Sequence, residues 1–223
     1  KTFSAGRILS MESKGELVYF DIPGRAEYIR LAGVIGNVPF KDTRMAREDF
    51  IKKKAAGEFP FSQVPVFLVG GHMIAQSTAI LRMMGAWGGL YPKDPVEAAK
   101  VDSYLDLVEE AWSCCDNSVY ATRFGLPDFP EKERLEIRKR LSDDIVPKKM
   151  GYLEPVLKES KSGYFGEKIS IADIKLYCFA KKLAKGWKLD GMDTNLIKKK
   201  FPSIQNLVDQ IDNLDAVRKY YKK

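Results

Sequence analysis

The chain has 223 residues, 45% hydrophobic and 30% charged, a composition that fits a packed globular protein with one large domain or two small ones and not a disordered or fibrous one. No apolar run approaches the ~20 residues that a membrane-crossing helix needs, which argues against a spanning role and a membrane partner. The excess of 37 basic over 30 acidic residues gives a net charge of +7, but acids are interspersed with the clusters Lys52-Lys53-Lys54 and Lys198-Lys199-Lys200, so these read as solvated helix faces and no nucleic-acid partner is expected.

Residues 1–14 lack the periodicity of the rest of the chain and are read as an extension outside the fold. A short strand over 16–20 ends at Asp21-Ile22-Pro23-Gly24, and 26–35 reads as a helix with apolar Ile29, Leu31, Ala32 and Ile35. A second strand over 39–44 completes a strand, helix, strand unit, which requires a crossover and a parallel pair. Two further strands, 66–69 and 72–74, are separated by Gly70-Gly71, a two-residue hairpin signal. Pro65 cannot donate a ladder hydrogen bond, so Val64-Pro65 at the mouth of the third strand suggests an edge or a tight, cis turn that leaves the Val64 backbone available to an extended ligand. Gln76-Ser77-Thr78 then opens an apolar helical run, 79–84. A helix N-terminus with a hydroxyl makes a carboxylate site; a plain hairpin followed by an ordinary capped helix is the competing reading. The order is βαβ then ββα.

Composition changes in the Gly-rich stretch 85–92, which divides the chain into residues 15–91 and 92–223. Asp94-Pro95-Val96-Glu97 supplies an N-cap, a first-turn proline and an acid at the third position. Val101, Tyr104, Leu105, Val108, Ala111, Trp112 and Cys115 form one apolar stripe beyond it. A helix is read over 131–145 and another over 152–157, with Pro147 and Pro155 at a start or a kink. Ser170-Ile171-Ala172-Asp173 is a capping box, and Phe201-Pro202-Ser203 begins a last helix through Leu214. The second part is therefore all-helical. Cys114, Cys115 and Cys178 form no disulfide framework, sit on apolar stripes as packing residues, and suit a reducing, cytoplasmic compartment. His72 is the single histidine and has no sequence partner for a metal or triad role.

Gln63-Val64-Pro65 followed by Gln76-Ser77-Thr78-Ala79-Ile80, behind Leu17-Val18-Tyr19-Phe20 and Gly24-Arg25-Ala26-Glu27, resembles the cytosolic glutathione transferases, most closely their sigma class. The resemblance runs from about Glu16 to the C-terminus. It implies a thioredoxin-like domain followed by a helical bundle, glutathione as co-substrate with no metal, a hydrophobic electrophile as acceptor, and a homodimer. The capping box at Ser170 resembles a buried cap of the family whose role is folding.

Tyr19 closes the first strand, where open α/β sheets place ligand loops. A phenol there can donate to a thiolate and favour the charged form; a plain strand aromatic is the other reading. Arg25 is the cation that the resemblance places near the thiol, and an ion pair with Glu27 is its alternative. The resemblance assigns glutathione contacts to Gln63, Val64, Pro65, Gln76, Ser77 and Lys54. It also reaches Phe50, where the class usually has tryptophan and where a phenyl ring cannot donate the indole hydrogen bond. Asp102, Asp106, Glu109 and Glu110 crowd one helix, so either that face is solvated or cations meet it. In the family an acid here reaches across the dimer to the γ-glutamyl ammonium, a role open to Glu109 or Glu110. Phe20 and Trp112 are candidates for the acceptor site. Three readings stand: a conjugating transferase, a non-catalytic carrier or structural relative, and a prostaglandin isomerase. Against the last, Asn117 falls where the vertebrate isomerase has tryptophan.

Overall fold

The computed structural model describes residues 13–222. They form two compact units that divide between Met84 and Gly85. Among them no helix is long and apolar enough to cross a membrane.

The first unit is a thioredoxin-like αβ layer. Its elements are β1 (Glu16–Phe20), a 3-10 turn (Gly24–Ala26), α1 (Glu27–Ile35), β2 (Lys41–Met45), α2 (Arg47–Ala55), β3 (Val66–Val69), β4 (His72–Ala75) and α3 (Ser77–Trp87). The four strands lie in the order β2-β1-β3-β4. β1 runs parallel to β2, as the α1 crossover requires, and antiparallel to β3. Tyr28, Ile29, Leu31 and Ala32 of α1 are fully buried, as are Leu17, Val66, Phe67, Ile80, Leu81 and Met84, and this set forms the core. Gly70 (φ 54) and Gly71 (φ 79) give the hairpin its two left-handed residues, the requirement of a type I′ turn.

Of the two readings of Val64-Pro65, the sheet favours the cis turn over the edge, and α2 is an element that the sequence reading lacked. β3 is central and not an edge strand; the Val64-Pro65 bond is cis, and the missing Pro65 N–H is tolerated because the ladder pairings begin at Val66. α2 has no counterpart in the sequence reading, because none of its residues is buried and it carries no apolar stripe. Its signal lies in charge: Glu48 and Asp49 in the first turn and Lys52, Lys53 and Lys54 in the last complement the helix dipole. The reading of residues 1–14 lies outside the described residues up to position 12, while the Lys14 amide already donates to Pro39 O at 2.8 Å.

The second unit contains α4 (Pro95–Asn117), α5 (Glu131–Arg140), α6 (Val146–Glu159), α7 (Ile171–Lys185), α8 (Leu196–Lys200), α9 (Pro202–Asp212) and α10 (Asp215–Tyr221). Asp94 caps α4 by accepting from the amides of Val96 (3.0 Å) and Glu97 (2.9 Å). A π-helical turn, Leu141–Ile145, joins α5 to α6 just before Pro147, whose lack of an N–H removes one ordinary i→i−4 bond there. The last helix expected through Leu214 ends at Asp212, and a separate α10 begins after the break at Asn213-Leu214.

α4 packs on α7 through a polar and aromatic seam. Glu109 pairs with the fully buried Lys175 at 2.8 Å, Asp116 pairs with Lys182, and between them Trp112 meets Phe179 with ring centroids 5.7 Å apart. Each helix contributes its two charged partners at a seven-residue spacing, so the pairs fix a parallel register. The Ser170 capping box forms as read: the fully buried Asp173 carboxylate accepts from the Ser170 amide (2.8 Å), the Ser170 hydroxyl (2.7 Å) and the Phe165 amide (2.9 Å). Burial pushes this carboxyl up to about 6, with the hydrogen bonds pulling the other way.

Candidate active site

The strand register brings the candidate residues of the first unit to one end of the sheet. Val18 pairs with Val66 across β1 and β3, and Val66 pairs with Ala75 across β3 and β4. Phe20 ends β1, Val64 lies two residues before β3 and Ser77 two residues after β4, so all three fall at the same end of the sheet. The parallel partner β2 ends at Met45 beside Phe20, and its continuation, α2, carries Phe50 and Lys54. One sheet end therefore gathers Tyr19, Phe20, Val64, Ser77 and the start of α2.

Tyr19 is 7% exposed, and its hydroxyl accepts from the Arg25 amide at 3.3 Å. That contact depends on the turn: Gly24 has φ +47, and a Cβ there would lie 2.6 Å from the Tyr19 oxygen. A phenol oxygen that accepts an N–H becomes a better donor through its own O–H, since hydrogen bonds in a chain polarise one another. The backbone amide of Arg25 thus meets the Tyr19 oxygen, and Glu27 pairs with Arg30 at 3.4 Å.

Gln76 holds φ 71, a left-handed conformation uncommon for a residue with a Cβ, and its carbonyl accepts from the Ile80 amide at 3.0 Å, opening α3. The next residue, Ser77, has its hydroxyl fixed by the fully buried Tyr28, whose O–H donates to Ser77 Oγ at 2.6 Å. Val64 is buried, whereas Gln63 and Gln76 are exposed. Tyr19, Phe20, Phe50 and Phe59 form a continuous aromatic run with successive centroids 5.2, 5.2 and 5.7 Å apart, and the Lys54 ammonium stands 6.0 Å from the Phe50 centroid.

On the acidic helix, the second of the two expected alternatives is found. Cations do meet that face, and they come from the same chain: Lys175 for Glu109, Lys149 for Glu110 and Lys182 for Asp116, while Asp102 accepts from Tyr91 at 2.9 Å. Trp112, read as an acceptor-site residue, is 3% exposed because its ring fills the α4–α7 seam with the Lys182 ammonium 5.3 Å away. Sequence reasoning also passed over Arg30 and Tyr28. An arginine inside the apolar run Ile29-Arg30-Leu31-Ala32 was the available signal, because a cation on a buried face must be paired.

Residues 15–83 match the family description "Glutathione S-transferase, N-terminal domain" and residues 119–223 match "Glutathione S-transferase, C-terminal domain". Glutathione S-transferase 2 of Caenorhabditis elegans is 33% identical over 165 residues, covering 72% of this chain and 84% of that protein. Among solved structures, prostaglandin synthase D of Nilaparvata lugens superposes with a TM-score of 0.80 at 26% identity, covering 94% of this chain and 98% of that one. The monomeric glutathione S-transferase Na-GST-3 of the hookworm Necator americanus gives 0.74 at 29% identity, covering 93% and 96%. With both domain descriptions matched, and a thioredoxin-like unit followed by a helical one, the chain belongs to the glutathione S-transferase family.

Proposed function

We propose that this glutathione transferase ionises the thiol of glutathione with the Tyr19 hydroxyl and conjugates the thiolate to hydrophobic electrophiles, in the manner of the sigma class. The observation that carries the reading is that Phe20, Val64 and Ser77 fall at the same sheet end, beside a phenol whose oxygen accepts the Arg25 amide. Three strands at ~4.8 Å spacing span roughly 10 Å, the length of an extended tripeptide. The Val64 backbone would pair with the cysteinyl unit. Ser77 and the amides opening α3, with Gln76, would take the γ-glutamyl carboxylate. Gln63 and Lys54 would flank the glycyl end, with Phe50 as an apolar wall.

A free thiol with a pKa near ~8.5 is only a few per cent ionised at neutral pH, and lowering it by about two pH units makes the thiolate the majority for ~2.7 kcal/mol. One charge-assisted hydrogen bond with the Arg25 cation nearby supplies that order of energy. Holding the thiolate against the acceptor supplies the rest by proximity. Phe20, half-buried in the aromatic run, would face the acceptor. A homodimer in a cytoplasmic setting, acting in detoxification, completes the sigma-like reading.

The test is Tyr19→Phe, assayed with glutathione and 1-chloro-2,4-dinitrobenzene while the bound thiolate is titrated at 240 nm. A fall of about 25-fold in kcat/KM at pH 7, with the thiolate signal moved to alkaline pH, is expected from the lost ionisation. Unchanged activity would remove Tyr19 from the mechanism. Wild-type binding of glutathione without turnover would instead mark a carrier. The likeness to the N. lugens prostaglandin synthase supports a second reading, prostaglandin isomerisation with glutathione as cofactor, which product analysis on an endoperoxide substrate separates from conjugation.

A further inference from the structure

We propose that Arg30, a residue with no expected contact to glutathione, is the positioning residue of thiol ionisation; this rests on the Tyr19 reading above. Its guanidinium is fully buried. Nη1 donates to Ile22 O (2.8 Å) and Pro23 O (3.3 Å), Nη2 donates to Phe20 O (3.3 Å), and Nε donates to Asp42 Oδ1 (3.1 Å). Nη1 also reaches Glu27 Oε2 at 3.4 Å. Three carbonyls of one loop are thereby gathered onto one planar cation, and that loop is the segment between Tyr19 and the Arg25 amide that the Tyr19 oxygen accepts.

The cation also lies 5.8 Å from the centroid of the Tyr19 ring. Arg30 therefore lies over the face of the phenol and anchors the loop that carries the amide donating to its oxygen. The charged groups around it complete a brace. Glu27 comes from α1 and Asp42 from β2; Arg44, also on β2, binds Asp42 at 2.8 Å and reaches Asp21 of the same loop at 2.9 Å. The loop is held from the interior by Arg30 and from its outer side by Arg44.

Lysine at position 30 would keep the charge yet lose the fan, since an ammonium is a point donor and cannot meet three carbonyls and two carboxylates in one plane. Arg30→Lys is therefore expected to lower kcat/KM below pH 7 by about tenfold and to displace the pH–rate profile about one pH unit to the alkaline side. Above pH 9 the rate should return toward wild type, and the KM for glutathione should stay within about twofold. A purely structural role would lower activity evenly at every pH by reducing the folded fraction.

Asp42→Asn supplies the second arm. Its side chain is 24% exposed, and the amide keeps the shape while weakening the Nε anchor, so a smaller shift in the same direction is expected. The experiment compares wild type, Tyr19→Phe, Arg30→Lys and Asp42→Asn as intact chains. If Tyr19→Phe matches wild type, the Tyr19 reading fails and takes this proposal with it. If Tyr19→Phe loses thiolate formation while folded Arg30→Lys keeps the wild-type profile, the positioning role alone is overturned. Should Arg30→Lys fail to fold, an unshifted Asp42→Asn profile overturns it, and an alkaline shift supports it.

Discussion

A methyl group at position 24 would stand 2.6 Å from the Tyr19 oxygen and 3.0 Å from its ring edge, on a backbone whose φ is +47. Glycine is the residue that permits both the left-handed turn and the approach of the phenol to the Arg25 amide. Gly24→Ala should therefore do two separable things. Forcing a Cβ into the left-handed region costs about 1–2 kcal/mol of stability, read from urea unfolding. Displacing the hydroxyl should also lower kcat/KM at neutral pH by more than tenfold, well beyond what the lost stability explains in a protein that remains folded. If the methyl acts through Tyr19, the double variant Gly24→Ala/Tyr19→Phe will be no slower than Tyr19→Phe alone, since both changes remove one interaction. Additive losses would place the glycine's role elsewhere. The neighbouring strain at Gln76 obeys a similar logic: a left-handed backbone is retained where the chain turns from β4 into α3, beside the Ser77 hydroxyl.

At the scale of elements, the cap of α7 makes a pH prediction. The Asp173 carboxyl is raised from 3.8 to about 6 in the folded chain. The native state therefore binds more protons than the unfolded one across that window, and stability falls as pH rises through it. The contribution is fully present below about pH 4 and lost above about pH 6, for a difference of about 3 kcal/mol. Asp173→Asn keeps a carbonyl acceptor but cannot titrate. Its destabilisation relative to wild type, measured by urea unfolding, should be larger at pH 4 than at pH 7 by about that amount; a difference constant with pH would show that the carboxyl is not linked to folding. This cap was legible because Ser170 and Asp173 fix it within four residues, as Asp94 and Glu97 do for α4. Likewise β1, the β3–β4 hairpin and the apolar stripe of α4 arise from patterns carried by the elements themselves. α2 escaped because it buries nothing, and α10 because its break from α9 is a two-residue event without proline or glycine. In the candidate site, Tyr19 and Ser77 could be read from strand end and helix start. Arg30 and Tyr28 could not, because their partners Asp42 and Ser77 lie 12 and 49 residues away and pairing at that distance is set by the fold. The partners of Glu109 and Glu110 were hidden for the same reason: Lys175 and Lys149 belong to other helices.

For the whole molecule, the two compact units divide at Met84–Gly85, yet α3 runs through the division from Ser77 to Trp87 without a break. The proposed glutathione contacts, Tyr19, Gln63, Val64, Gln76 and Ser77, all precede it. Trp87, Trp112 and Trp187, the chain's three tryptophans, all lie beyond it. Trp112 and Trp187 lie in the second unit and Trp87 ends α3, so tryptophan fluorescence reports chiefly the second unit, while the proposed ligand site lies in the first. If α3 must open for either unit to unfold, the two lose structure together, and a ligand bound to one stabilises both. Glutathione at a hundredfold its Kd should then add about 2.7 kcal/mol to the unfolding free energy reported by tryptophan, although no tryptophan is among the proposed glutathione contacts. Amide exchange in β1 and β3 should slow by the matching factor of about 100. A tryptophan midpoint that stays in place while exchange in β1 slows would show that α3 breaks at Gly85 and that the units unfold separately. That outcome would make the second unit's stability independent of ligand, and would confine the effect of the Asp173 cap to the unit that contains it.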